Sequence, residues 1–95
     1  MTAHSLKHQE LVFIETLRDR ADVVLVRASQ RSLRRFVEIA VRDLEQALAC
    51  LSVKNAEQTP SVLRAAARLT DLASDRIEMA EKALGEGGPN AWARR

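Results

Sequence analysis

Residues 23–37 read VVLVRASQRSLRRFV, and their parsing decides how many helices the chain forms. On the N-terminal side, Ile14, Leu17, Ala21, Val24 and Ala28 recur at spacings of three and four, one stripe of an amphipathic helix. Extended forward, this stripe lands on Arg31 and Arg35. On the C-terminal side, Leu33, Val37, Ala40, Leu44, Ala47 and Leu51 make a second stripe, which Phe36, Val41 and Leu48 widen. Extended backward, it lands on Gln30, Val26, Val23 and Asp19. The phases disagree over residues 28–32, so we place a turn at Ser29-Gln30-Arg31-Ser32, with Ser32 as N-cap. The alternative is one long N-terminal helix of ~48 residues, ~72 Å in length, followed by a return helix. That alternative stays open, because residues 1–58 contain no Gly or Pro to demand the turn.

Further along, Thr59-Pro60-Ser61 opens another helix, with Thr59 at the cap and Pro60 at the first helical position, where its missing N–H costs nothing. Val62, Ala66, Leu69, Ala73, Ile77, Ala80 and Leu84 continue it in one stripe, and Gly85 suits a left-handed stop. Lys54 and Asn55 close the middle helix, and the short link after them predicts an antiparallel hairpin. The expected fold is an all-α three-helix bundle, helices about 5–28, 32–54 and 60–84, in one domain over residues 1–84. Residues 85–95 read as a flexible Gly-rich tail. Its Trp92 and terminal arginines have the composition of a docking peptide.

The first helix carries more apolar circumference than one stripe needs. Leu11-Val12-Phe13-Ile14 and Val23-Val24-Leu25-Val26 are contiguous blocks, and four consecutive residues encircle a helix. Leu11, Val12, Val23 and Val26 are therefore the expected second face, turned toward a partner. With a thin, alanine-rich core in 95 residues, this predicts a homodimer that forms a larger helical bundle.

Charge adds one local feature. Lys plus Arg number 15 and Asp plus Glu 13, a net of +2, so a pI near 9.2 reflects little true excess. Arg27, Arg31, Arg34 and Arg35 nevertheless fall together, with no acid between Asp22 and Glu38. On a continuous helix Arg27 and Arg31 would align with Arg34 or Arg35, a positive field for phosphate, carboxylates or an acidic partner. No aromatic stands among them, which weakens the nucleic-acid reading. The last helix carries Arg64, Arg68, Asp71, Asp75, Glu78 and Lys82 on one face, cations first and acids later. That order opposes the helix dipole and suits either an antiparallel neighbour or an ordinary solvated surface.

Chemistry-bearing patterns are sparse. His4 and His8 share a helix face but lack a third ligand nearby, and Glu-x-x-His motifs of carboxylate-bridged iron bundles are absent. Cys50, near a helix C-terminus, reads as an inert small hydrophobe rather than an activated thiol. No Gly-rich phosphate loop, nucleophile–base grouping or Tyr occurs. Neither a cofactor nor a metal is expected.

One cysteine, no apolar leader and no apolar run of ~18–20 residues predict a cytoplasmic protein without integral membrane association. The Arg and Ala bias fits a GC-rich bacterial genome. The expected function is a non-enzymatic protein–protein interaction module: a small adaptor, chaperone or regulator acting through apolar helix faces. The alternative is a nucleic-acid-associated regulator using Arg27, Arg31, Arg34 and Arg35.

Overall fold

The computed structural model describes residues 3–85. Residues 86–95 of the tail, with Trp92, lie outside them. Three helices pack together: α1 (Ala3–Arg27), α2 (Arg31–Leu51) and α3 (Pro60–Ala83), with a short 3-10 turn at Ala56–Gln58 before α3. The chain breaks at residues 28–30, where the two stripe phases clash, and the single long helix does not form.

The break has a local chemistry. Gln30 rather than Ser32 occupies the N-cap of α2, extended at φ −76° and ψ 129°, and no side chain caps the helix. Ser32 lies inside the first turn because the Gln30 carbonyl already accepts the Arg34 amide at 3.0 Å. The Ala28 amide extends the α1 ladder onto the Val24 carbonyl at 2.8 Å.

The middle helix stops at Leu51, the last residue of its apolar stripe and three residues before the end that Lys54 and Asn55 suggest. The Ser52 hydroxyl donates to the Leu48 carbonyl at 2.8 Å, and its amide is shared between Leu48 and Ala49. Such back-bonding competes with continuation of the ladder. Asn55 then takes the left-handed conformation at φ 63°, as its short polar side chain permits. Thr59 does precede α3, but its hydroxyl donates to the Asn55 carbonyl at 2.9 Å instead of accepting from α3 amides. Pro60 begins α3, and Gly85 ends it at φ 77°.

The hairpin of α2 and α3 is the most extensive pairing, and α1 packs against both. Val37, Ala40, Leu44, Ala47 and Leu51 meet Ala66, Ala73, Ile77 and Ala80. Alanines at so many of these positions let the two backbones approach closely. From α1, Ile14, Leu17, Ala21 and Val24 close the core, each essentially without exposure. The described body measures 49 × 24 × 18 Å, thick enough for two layers of helix and no more. Every helix therefore keeps an outer face.

Two ion pairs fix the helices relative to one another. Arg20 on α1 grips Glu81 on α3 with two parallel hydrogen bonds, Nε to Oε2 at 2.9 Å and NH2 to Oε1. Arg76 on α3 pairs with Asp43 on α2. The second pair bridges the two arms of the hairpin.

Candidate interaction site

The outer face of α1 is the first candidate. Val12, Val23 and Val26 are 49%, 54% and 86% exposed, and Phe13 is partly exposed beside them. At about 100° per residue, Val12 and Val23 lie on nearly the same meridian, ~16 Å apart, with Val26 slightly to one side. Leu11 does not belong to this face. It packs against the core, because its place on the wheel turns it toward the bundle. A run of four apolar residues does not by itself separate Leu11, turned to the core, from Val12, turned outward.

The valines alternate with acids. Glu15, Asp19 and Asp22, all exposed, recur at four and three residues between Val12 and Val26 on the same side of α1. This strip is thus apolar and acidic together, a pattern the sequence carried but the apolar blocks obscured.

The arginine cluster is divided by the fold. Arg27 sits in the last turn of α1, where a cation favours the helix dipole. Because residues 28–30 are not helical, Arg27 is not aligned with the arginines of α2. Arg34 reaches back and donates through NH1 to the carbonyls of Leu25 and Ala28, the latter at 3.2 Å, so it caps the end of α1. Arg31, Arg34 and Arg35, with Arg42, which pattern reading missed, line an open groove of about 590 Å³ together with Ser29, Glu38 and Ile39. Among the described residues, no ion pair ties Arg31, Arg35 or Arg42 to an acid.

Glu10 is the other group that spacing alone did not single out. Its Oε2 is buried without a hydrogen-bond donor. Burial raises its pKa above the ordinary carboxylate range; the neighbouring Thr70 hydroxyl offsets part of this, and Asp71 adds to the rise. The Thr70 hydroxyl itself donates to the Ala66 carbonyl at 2.8 Å.

His8 is exposed, and the side chain of His4 lies outside the description. Among the described residues no group of three or more His, Cys, Asp or Glu is placed to hold a metal, and no helix is long and apolar enough to cross a membrane. Cys50 is half-buried with a free thiol. In comparison with known proteins, the chain matches no family model, no curated protein and no solved structure.

Proposed function

We propose that this chain is a non-enzymatic protein-interaction module whose α1 face receives a helix of another protein. The observation that carries this reading is the exposure of Val12, Val23 and Val26 while the other side of the same helix is in the core. Glu15, Asp19 and Asp22 between those valines select the partner's chemistry: an amphipathic helix with apolar anchors and basic flanks. Association between copies of the chain is part of the reading, and a cytoplasmic setting agrees with the lone free Cys50.

The test begins with Val23→Asp combined with Val26→Asp. Both positions face solvent, so thermal melting should shift by no more than about 0.5 kcal/mol of stability. The double variant should nevertheless lose the chain's cellular role. A loss of several kcal/mol would mean that the bundle itself needs these valines, against the proposal.

A second reading has its own observation. The Arg31–Arg35–Arg42 row along the α2 groove favours a nucleic-acid backbone as ligand. Affinity for a generic duplex should then fall steeply with salt and vanish in Arg31→Ala combined with Arg35→Ala. No binding at low salt removes this reading.

A further inference from the structure

Ala65, Leu72 and Met79 lie seven residues apart along α3, which sets them in one line on its surface. Leu72 is 44% exposed and Met79 is 61% exposed. Small Ala65 leaves a depression at the N-terminal end of this line. Ser61, Arg64, Ala65, Arg68, Leu69 and Leu72 line it. One flank of the line is charged, with Arg64 and Arg68 toward the start of α3 and Asp75 and Glu78 toward its end. Within a single helix this order opposes the dipole.

A second copy of α3 running antiparallel reverses every one of these features. With a two-fold axis near Leu72, the second copy's Met79 reaches the level of Ala65 and fills the depression, while Leu72 meets Leu72. In an antiparallel pair each flank of the seam meets the same flank of its neighbour. Arg68 then comes level with Asp75 of the second copy, and Arg64 with Glu78. The two-fold axis repeats both pairs, giving four. The helix dipoles also cancel.

We propose that the chain dimerises through this α3 face: Met79 of each copy seats over Ala65 of the other, between reciprocal Arg68–Asp75 and Arg64–Glu78 pairs. The proposal rests on the reading of the chain as an interaction module, but it moves self-association from α1 to α3 and leaves the α1 face for another protein. Few large apolar side chains are involved, so the dimer is weak and its assembly depends on salt.

Sedimentation velocity on the full chain tests it through charge exchange. One variant carries Arg64→Glu with Arg68→Glu, making the flank mostly acidic. The other carries Asp75→Lys with Glu78→Lys, making it basic. Each alone should dissociate at least about tenfold more readily than the wild type, because four attractions become repulsions. An equimolar mixture should recover the dimer, since all four contacts are again opposite in sign. Circular dichroism of each variant separates dissociation from unfolding. Wild type that stays monomeric up to near-millimolar concentration would overturn the proposal. So would single variants that dimerise like wild type, or a mixture without recovery. A dimer lost only in Val23→Asp would place the contact on α1 and overturn it too. The charge-exchange outcomes leave open whether another protein binds α1, which the valine variants test separately.

Discussion

Arg34 NH1 donates to the carbonyl of Ala28 at 3.2 Å across the joint between α1 and α2. One arginine of the basic cluster therefore serves the fold, holding the exposed end of α1 against the start of α2, and it separates in role from its neighbours. Arg34→Met should cost about 0.5–1.5 kcal/mol, the usual worth of a hydrogen bond. Arg31→Met and Arg35→Met should be nearly silent. Chemical denaturation of the three variants checks this, and equal effects would contradict it.

Arg20 and Glu81 form the bidentate clamp between α1 and α3, at 39% and 23% side-chain exposure. Partial exposure screens the pair, yet its two parallel bonds set it above an ordinary surface contact. A double-mutant cycle with Arg20→Met and Glu81→Gln should give a coupling of about 1 kcal/mol. The exposed Glu78–Lys82 pair, at 3.5 Å within one helix, should give roughly 0.3–0.5 kcal/mol. The reverse order would contradict the clamp.

Glu10 makes stability depend on pH in a particular direction. The folded state holds its proton more tightly than the unfolded chain, because burial disfavours the charge. Its contribution is then full below the ordinary glutamate range and is lost as pH rises through the elevated value. Glu10→Gln keeps the neutral form throughout. The variant should match wild type in acid and exceed it at neutral pH, measured by urea denaturation at several pH values. A variant less stable at neutral pH would show that the carboxylate is favourably paired there.

Leu44 lies at the centre of the α2–α3 contact with no exposure. Leu44→Ala should cost about 2–5 kcal/mol, since the surrounding alanines are too small to fill the void. Leu72→Ala, on the outer face, should cost well under 1 kcal/mol in the monomer. Melting at low protein concentration compares the two.

The stripes along each helix were legible because the helical period fixes which side chains share a face. Ile14 through Ala28, Val37 through Leu51, and Ala66, Ala73, Ile77 and Ala80 are buried along the lines their spacing marks, while Thr70 is buried where the stripe placed Leu69. The joint at residues 28–30 was legible as a phase clash, without Gly or Pro. Relations between helices were not. Arg20 and Glu81 are 61 residues apart, and nothing local in either helix brings them together. Glu10 and Thr70 meet only once α1 is laid on α3. Arg34 looked like its neighbours until the turn geometry aimed it at the carbonyls of α1. Leu11 and Val12 are adjacent in one apolar block, and only the direction of the core tells them apart.

Under the proposed function, the valine-and-acid face of α1 binds another protein's helix. Photo-crosslinking in the native host measures this most directly, with a benzophenone side chain placed at Val23 and, as a control, at exposed Glu45 on α2. The expected result is an adduct at Val23 that is weak or absent at Glu45, mapped by peptide sequencing to an amphipathic, basic helical segment of one other protein. Adducts no stronger at Val23 than at Glu45, or confined to the chain itself, would contradict it.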